Sequence, residues 1–278
     1  MQLVGPKRLA MVAVIGVVAG LMIMAVVVRL IENRFIYFPP RYPEGFLPVA
    51  QYPFRFEDVW LTADDGVKIN AWYVPNPASR KVLLMFHGNA LNLGQDGTGR
   101  LDTFARLGVN LLEIDYRGYG KSEGTPHEAG LYRDADAAYR YLREIKRHQA
   151  SEICIYGHSL GSAVATDLAS RRECGGLIIE SAFSSGREMA RRMFAIPLFH
   201  YLPKTKFDTL AKIRTVRAPI LVIHGADDNL IPMSMGKALY EAAPHPKSFL
   251  AVARAGHDDA FITGGERYIE ALRQFVGP

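Results

Sequence analysis

Cysteine is scarce in this chain of 278 residues, where only Cys154 and Cys174 occur. Two thiols cannot supply the set of disulfide bonds on which small secreted domains depend, and nothing in the sequence indicates that these two are paired. Cys154 lies in a short apolar run, as is typical of a buried structural thiol. The sequence also lacks any group of His, Cys and Glu residues with the spacing of a metal site, so we expect neither a metal ion nor a cofactor.

Two patterns that bind phosphates or dinucleotides are present only in incomplete form. Gly120-Lys121-Ser122 matches the end of a phosphate-binding loop, but Asp115 occupies the position of the first required glycine. The glycines from Gly118 to Gly124 are spaced one residue too widely for a dinucleotide-binding turn. No zinc-finger spacing, recognition helix or basic and aromatic tract indicates a nucleic-acid partner. The net charge of +5 is mild and fits either solubility or attraction to anionic lipid headgroups.

One long segment near the N-terminus lacks charged side chains. Leu9 to Val28 contains no charged or strongly polar residue and is long enough to cross the hydrocarbon core, which takes about 20 helical residues. A cleaved signal peptide has a shorter apolar stretch and a cleavage site of small residues, and no such site follows Val28. A buried helix of a soluble domain is the remaining alternative. We therefore predict that residues 1–34 form a single-pass membrane anchor with a transmembrane helix over about residues 9–28.

Basic residues flank the apolar segment almost equally, so the sequence predicts no orientation in the membrane. Lys7, Arg8 and the terminal amine lie on one side, and three arginines lie on the other. The aromatic cluster Phe35-Ile36-Tyr37-Phe38 follows closely and is expected at the membrane interface. Pro39-Pro40 then ends any helix.

Beyond a proline-rich coil, apolar runs alternate with helical patterns. Phe54 to Leu61 and Val67 to Val74 predict two strands joined by a hairpin turn at Ala63-Asp64-Asp65-Gly66. The following strands and helices alternate, which predicts right-handed crossovers and a mostly parallel sheet with helices on both faces of residues 35–278. Predicted strands cover residues 82–86, 109–114, 153–156, 177–179, 220–223 and 249–252, and predicted helices cover 98–107, 132–145, 160–170, 233–243 and 266–275.

The stretch at about residues 183–216 interrupts this alternation. It combines Arg187, Arg191 and Arg192 with an unusual number of apolar side chains. The apolar members are Met189, Met193, Phe194, Ile196, Leu198, Phe199 and Tyr201. This composition fits a small cap over the carboxyl edge of the sheet, and it fits equally an amphipathic surface helix that only packs.

The pentapeptide Gly157-His158-Ser159-Leu160-Gly161 is the most informative motif in the chain. It directly follows the apolar run Ile153 to Tyr156 and precedes a helix start made of small residues. A G-x-S-x-G sequence between strand and helix is typical of a nucleophile elbow, because the sharp turn leaves no room for a Cβ beside the serine. We therefore expect Ser159 to be a catalytic nucleophile, with His158 facing away from the reacting atom.

A serine nucleophile needs a base, and the base needs an orienting carboxylate. Chain order in elbow enzymes is serine, acid, histidine, so His257 after the last strand is the predicted base. Asp227 and Asp228 both follow the preceding strand, and either could be the acid while the other caps a helix. Three further histidines fit less well as the base. His200 lies within the 183–216 stretch, His245 lies between two prolines, and His224 precedes the acids in the chain.

Two backbone N–H groups are needed to stabilise an oxyanion. Leu160 directly follows the nucleophile and is expected to supply the first. The second is expected from the loop after the strand over residues 82–86, where Asn89 is the best placed. His87 in the same loop is interpreted as a structural hydrogen-bonding residue.

Together these motifs resemble the α/β-hydrolase superfamily. More narrowly, they resemble its membrane-anchored branch, which includes palmitoyl-protein thioesterases and fungal bud-emergence-related hydrolases. The resemblance runs from about Phe35 to Phe275 and implies an α/β-hydrolase fold with a serine triad. In such members the acid stands four residues after the histidine of a His-Gly pair, which selects Asp228, and the second oxyanion N–H falls on Asn89. The resemblance rests on the elbow and on the loops that contain the acid and His257. It also rests on three further stretches: Phe86-His87-Gly88-Asn89-Ala90, Asp115-Tyr116-Arg117-Gly118-Tyr119-Gly120-Lys121-Ser122-Glu123-Gly124 and Glu180-Ser181-Ala182-Phe183.

We therefore expect a membrane-anchored serine hydrolase that cleaves carboxylic esters or thioesters through an acyl-enzyme on Ser159. The expected substrate is a small-molecule or lipid-like acyl ester, and the expected partner is the membrane. A serine peptidase of the same fold is an alternative, because related α/β hydrolases cleave peptide bonds. A non-catalytic membrane-bound scaffold is a further alternative, since fold does not fix function. The sequence predicts neither the substrate-binding residues nor the oligomeric state.

Overall fold

A computed structural model of the chain describes residues 6–42, 52–96, 99–193 and 204–277. Helix α1 spans Pro6–Ile36 and begins at a proline, which is well suited to the first helical position. Its N-terminal part, Ala13–Val28, meets Leu30–Ile36 at an angle of 47°. Taken singly, no straight helix among the described residues is both long and apolar enough to cross a membrane, and these two parts of α1 satisfy that requirement only as a bent pair.

Within the described residues, eight strands form one sheet in the order β1-β2-β4-β3-β5-β6-β7-β8. The strands are β1 Glu57–Thr62, β2 Lys68–Val74, β3 Val82–Phe86, β4 Asn110–Ile114, β5 Ile153–His158, β6 Gly176–Glu180, β7 Ile220–Gly225 and β8 Lys247–Val252. Strand β2 is antiparallel to both β1 and β4, and the remaining neighbours are parallel. The hairpin and the mostly parallel sheet that the sequence predicted are confirmed.

Helices cover both faces of this sheet. After α1, the helices of the described residues are α2 Leu93–Asp96, α3 Arg100–Ala105, α4 Glu128–Arg140, α5 Leu160–Arg171, α6 Gly186–Met193, α7 Thr209–Ile213, α8 Met233–Ala242, α9 Ala260–Thr263 and α10 Gly265–Val276. Helices α4, α5, α7 and α8 bury apolar side chains on one face, and α3 and α10 do so on the other. Alternate residues of β3 supply the two faces, because successive strand side chains point in opposite directions: Leu84 joins the first cluster and Leu83 the second.

The predicted helices differ from the observed ones mainly at their ends. The helix predicted over residues 132–145 begins earlier, at Glu128, and its last part is a π-helical turn at Tyr141–Ile145. The helix predicted over 98–107 is confined to α3, with the short α2 before it. Of the stretch predicted as a cap or surface helix, α6 and α7 are described, whereas the predicted apolar positions 194, 196, 198, 199 and 201 lie outside the described residues, as does position 200.

The sheet brings the predicted site residues to one edge. Parallel strands all point the same way, so the loops at their carboxyl ends gather along a single edge of the sheet. His87 follows β3, Ser159 follows β5, Asp228 follows β7 and His257 follows β8. Residues that are far apart in the sequence are thereby placed within reach of one another.

Candidate active site

Ser159 lies at the turn between β5 and α5 in a conformation that few side chains adopt. Its φ is +52°, in the left-handed region where non-glycine residues are strained. The turn is tight on both sides. A Cβ on Gly157 would lie 2.1 Å from the Gly161 carbonyl oxygen, and a Cβ on Gly161 would lie 2.0 Å from the Phe86 carbonyl oxygen. Both glycines are therefore required by close backbone approach, as the elbow motif predicts.

Ser159, His257 and Asp228 form a continuous hydrogen-bonded series. The Ser159 Oγ lies 2.9 Å from His257 Nε2, and His257 Nδ1 lies 2.8 Å from Asp228 Oδ2. With the proton on Nδ1, the imidazole donates to the Asp228 carboxylate and its Nε2 accepts from the Ser159 hydroxyl. This is the tautomer that a general base beside a serine requires.

Of the two neighbouring aspartates, only Asp228 contacts His257 in the part of the chain that the structure describes. Its Oδ1 accepts hydrogen bonds from the backbone N–H groups of Leu230 at 3.0 Å and Ile231 at 2.8 Å. Burial alone would raise the pKa of the Asp228 carboxyl, but the hydrogen bonds from His257 and Ile231 hold that pKa below its ordinary value. The side chain is therefore an anion with a fixed direction. Asp227 is exposed.

The backbone of His257 is held by two side chains that the sequence did not identify. Its carbonyl oxygen accepts from His158 Nε2 at 2.9 Å and from Ser181 Oγ at 3.2 Å. Burial, together with the nearby charge of Arg100 and the ring of His257, holds the pKa of His158 well below its ordinary value, so this ring is neutral. His158 was expected to face away from the reacting atom. In the structure it positions His257 by donating to the His257 carbonyl oxygen.

A buried arginine, Arg100, connects the loop after β8 to the sheet. Arg100 is 3% exposed, and its guanidinium donates to the Asp258 carbonyl oxygen at 3.2 Å and to Glu180 Oε1 at 3.4 Å. Glu180, at the end of β6, also accepts from the hydroxyls of Tyr156 and Tyr268. Hydrogen bonds of this kind offset the cost of burying a carboxyl group away from water. In the sequence, Glu180 stands out only as part of the stretch Glu180-Ser181-Ala182-Phe183, since nothing local to it indicates these partners.

Three other histidines that the sequence analysis weighed lie within the described residues: His87, His224 and His245. His224 Nε2 donates to the Ile231 carbonyl oxygen at 2.9 Å, which secures the loop that carries Asp228. Burial lowers the pKa of His224 below its ordinary value. The His87 Nδ1 lies 2.7 Å from the Gly88 carbonyl oxygen, so the ring is engaged with its own loop. His245 is exposed.

The two residues predicted to stabilise an oxyanion line the same cavity as Ser159. Leu160 is the first residue of α5, so its N–H lies at the positive end of the helix dipole. Asn89 follows β3, and its side chain is fully used: Oδ1 accepts from the Phe38 N–H and the Tyr119 hydroxyl, and Nδ2 donates to the Ile36 carbonyl oxygen. These contacts fix the backbone of the loop that carries Asn89.

Ser159 and His257 open into a cavity of about 890 Å³. This volume lies near the upper end of the range for ligand-binding sites in proteins, about 300–1,000 Å³. Apolar side chains from α6 and from the segments on either side of it form much of its wall: Phe183, Met189, Met193 and Phe207. Helix α6 therefore contributes Met189 and Met193 to the wall of the cavity beside the serine.

One group of potential metal ligands lies at this site within the described residues: His158, His257 and Asp258. Both ring nitrogens of His257 already make the hydrogen bonds described above, to Ser159 and Asp228. A metal ion bound to His257 here would have to displace one of these two contacts. The arrangement therefore fits proton transfer by His257 better than it fits metal binding.

Comparisons with known proteins place these observations in a family. A family model described as serine aminopeptidase, S33, matches residues 77–214. An uncharacterized protein of Mycobacterium tuberculosis is 32% identical over 279 residues, which cover 97% of this chain and 95% of that protein. Mouse alpha/beta hydrolase domain-containing protein 17C is 38% identical over 204 residues, or 72% of this chain. The match spans only 61% of the length of the mouse protein.

Solved structures share the architecture at lower sequence identity. An esterase of Pyrococcus furiosus, Pf2001, superposes with a TM-score of 0.71 at 21% identity. The superposition covers 87% of this chain and 96% of the esterase. At this identity the likeness concerns the fold.

Proposed function

Because the chain belongs to the α/β-hydrolase superfamily, we propose that it is a membrane-anchored serine hydrolase that cleaves carboxylic esters or thioesters. The observation that carries this proposal is the pair of contacts that His257 makes, 2.9 Å to Ser159 Oγ and 2.8 Å to Asp228 Oδ2. Serine, imidazole and carboxylate in this order convert a weak alcohol nucleophile into an effective one. Ser159 is the proposed nucleophile, His257 the base and Asp228 the orienting acid.

The proposed reaction proceeds in two steps. Ser159 Oγ attacks the carbonyl carbon while His257 Nε2 takes the hydroxyl proton, and the N–H groups of Leu160 and Asn89 stabilise the oxyanion. His257 then passes the proton to the leaving alcohol or thiol, and an acyl group remains on Ser159. Water, deprotonated by the same imidazole, hydrolyses this acyl-enzyme and regenerates the serine.

The walls of the cavity support an acyl substrate. Met189 and Met193 are flexible apolar side chains that adapt to an alkyl chain, and Phe183 and Phe207 lie beside them. The esterase described above shares the fold and supports an ester as the bond that is cleaved. The proposed substrate is therefore an ester or thioester with a medium-length or lipid-like acyl group.

The exposed apolar surface of α1 supports attachment to a membrane. Large apolar side chains of this helix are exposed to at least a third of their area, among them Ile15 at 60%, Leu21 at 44% and Ile23 at 65%. A helix that is apolar on all sides and packs against no protein core is stable in a lipid environment. We therefore place the span in residues 9–28, with residues 1–34 as the anchor and 35–278 as the catalytic domain.

A fluorophosphonate probe tests the assignment of the nucleophile. The probe reacts with a serine only when its hydroxyl is activated, so the wild-type protein should be labelled and Ser159→Ala should not. Ser151→Ala, at an exposed position outside the cavity, is the matched control and should be labelled like the wild type. Labelling of Ser159→Ala at the wild-type rate would remove Ser159 from the mechanism.

A serine peptidase is the second candidate, and the aminopeptidase family model is the observation that favours it. An aminopeptidase must hold a free ammonium group close to the scissile bond with a carboxylate. Of the carboxylates that line the cavity among the described residues, Glu32 accepts from the N–H of Lys204, and Asp96 Oδ1 lies 3.7 Å from an Arg100 guanidinium nitrogen. The side chain of the third, Asp258, is 75% exposed, so Asp258 is the carboxylate that would hold the ammonium group. Turnover of aminoacyl anilides exceeding that of p-nitrophenyl acyl esters would favour the peptidase.

A further inference from the structure

The end of α1 lies inside the candidate active site. Five residues from its last part line the cavity that contains Ser159 and His257: Val28, Ile31, Glu32, Phe35 and Ile36. They recur three or four residues apart, so they lie on one face of the helix. Helix α1 is therefore a wall of the cavity as well as the proposed anchor.

A buried carboxylate fixes this part of α1 to the segment after α6. Glu32 is 7% exposed and accepts hydrogen bonds from the N–H groups of Lys204 at 2.7 Å and Thr205 at 3.2 Å, and from Thr205 Oγ1 at 3.1 Å. Glu128 of α4 continues the pattern, accepting from the N–H groups of Lys206 at 2.7 Å and Phe207 at 2.8 Å. Four consecutive N–H groups are thereby held by carboxylates from two helices.

The last turn of α1 is also joined to the loop after β3. Asn89 Nδ2 donates to the Ile36 carbonyl oxygen at 2.6 Å, and the Phe38 N–H donates to Asn89 Oδ1 at 3.2 Å. The same loop carries the proposed second oxyanion N–H. The position of α1 is therefore set from both sides of the cavity, by Glu32 and by Asn89.

We propose that the face of α1 formed by Val28, Ile31, Glu32, Phe35 and Ile36 is the acyl-binding wall of the active site. Its ligand is the single alkyl chain of the ester or thioester that Ser159 cleaves, so the inference rests on the proposed function and specifies its substrate class. Val28, Ile31 and Phe35 present apolar surface to the cavity that Met189 and Met193 of α6 also line. Burial of an alkyl chain between them is favoured by about fourfold in affinity for each methylene.

The bend in α1 places this wall at the end of the exposed apolar helix. Ala13–Val28 and Leu30–Ile36 meet at 47°, and Val28 is the first residue of α1 that lines the cavity. Apolar surface therefore continues from the proposed membrane span to the neighbourhood of Ser159. An acyl chain held in a bilayer reaches the serine along this surface with little exposure to water.

Two tryptophan substitutions on adjacent residues test the wall. Ile31 lines the cavity and is 38% exposed, whereas Leu30 does not line it and is 77% exposed. The full chain, in detergent micelles, is assayed on p-nitrophenyl acetate and p-nitrophenyl octanoate, and the ratio of their kcat/KM values is compared. Wild type and Leu30→Trp should prefer the octanoate, and Ile31→Trp should lower the octanoate-to-acetate ratio by at least about tenfold, because the indole occupies volume needed by the chain.

Fluorophosphonate labelling of Ser159 distinguishes failure of the acyl-wall proposal from failure of the proposed hydrolase function. A labelled Ile31→Trp protein with the same ratio as Leu30→Trp would overturn the acyl wall while leaving the serine hydrolase intact. Absence of labelling in the wild type would overturn the proposed function and the wall with it. If Ile31→Trp alone is not labelled, Ile31→Ala replaces it, and its ratio should fall by about three- to tenfold through lost contact with the chain. An unchanged ratio in Ile31→Ala would likewise overturn the wall.

Discussion

Asp227 and Asp228 are adjacent in the sequence but differ in their surroundings. Asp228 is buried and contacts His257, whereas Asp227 is exposed. Asp228→Asn should lower kcat on an ester by about 10³–10⁴-fold, because an amide in that place favours the wrong imidazole tautomer. Asp227→Asn should stay within about twofold of the wild type. Steady-state ester hydrolysis measures both, and equal losses in the two variants would contradict the assignment of Asp228.

Two buried neutral histidines make the stability depend on pH. His158 and His224 have pKa values lowered by burial, so the folded protein takes up these protons less readily than the unfolded chain does. Their contribution to stability is complete above the unfolded value of about 6.5 and is lost as the pH falls below it, toward the lowered folded-state pKa. The melting temperature should therefore fall between about pH 7 and about pH 5, where each such histidine contributes up to about 1.4 kcal/mol per pH unit.

His158→Gln should reduce this pH dependence, because glutamine has no proton to gain. His245→Gln is the control, since His245 is exposed. Thermal unfolding at the two pH values measures the difference. A fall in melting temperature as steep in His158→Gln as in His245→Gln would show that His158 is not held neutral by the fold.

At this scale the sequence predicted the contacts that follow a family pattern and missed those that depend on tertiary structure. The chain order placed Ser159 and His257, and the structure brings their side chains together. The sequence left Asp227 and Asp228 equivalent until the resemblance separated them. It could not show that His158 and Ser181 donate to one carbonyl oxygen, because those residues meet only when β5, β6 and the loop after β8 are assembled.

Among the elements, the elbow depends on two glycines whose Cβ positions are occupied by backbone. Gly157→Ala and Gly161→Ala should each prevent the turn from forming, because a carbonyl oxygen within about 2 Å of the new methyl group cannot move without displacing a strand or helix. Gly16→Ala in α1 is the control, since nothing lies within 4 Å of its added Cβ. The yield of protein that a fluorophosphonate labels should collapse for the first two variants only. Normal labelling of Gly161→Ala would show that the elbow relaxes more than the geometry allows.

The segment after α6 depends on Glu128 at the start of α4. Glu128→Ala removes the acceptor for the N–H groups of Lys206 and Phe207 and for the Tyr132 hydroxyl. The loss should be about 1–3 kcal/mol, which lowers the melting temperature by a few degrees. Glu144→Ala at an exposed position is the matched control, and thermal unfolding of both variants measures the difference. Equal melting temperatures would mean that these hydrogen bonds make no net contribution to the free energy of unfolding.

Element order was predictable because strand and helix patterns alternate so regularly after residue 54. The ends of the helices and strands were harder to predict from the sequence. The helix α4 passes into a π-helical turn, which no local signal indicates, and α1 was predicted from its apolar composition alone. That composition predicts a span but not the bend after Val28, because the Glu32 carboxylate that follows the bend finds its partners, the N–H groups of Lys204 and Thr205, only in the folded structure.

For the whole molecule, attachment to the membrane should depend on the exposed part of α1. The double substitution Val18→Arg and Ile23→Arg places two charges at positions that are 47% and 65% exposed. The insertion cost of about 5–7 kcal/mol should shift the protein from the membrane fraction to the soluble fraction after carbonate extraction. Val18→Leu with Ile23→Leu is the control and should remain with the membrane. Equal retention of both double variants would show that α1 is not the anchor.

In the proposed enzyme, the junction near Val28 gives the N-terminal helix a part in substrate binding as well as in membrane attachment. Proteolytic cleavage between Glu32 and Phe35 would release the proposed hydrolase domain and, in the same event, remove Val28, Ile31 and Glu32 from the cavity wall, and with Glu32 the acceptor for the N–H groups of Lys204 and Thr205. In the released enzyme, water would occupy the part of the cavity wall that the alkyl chain of the ester is proposed to contact. The proposed selectivity for chain length would then be lost together with the proposed attachment to lipid.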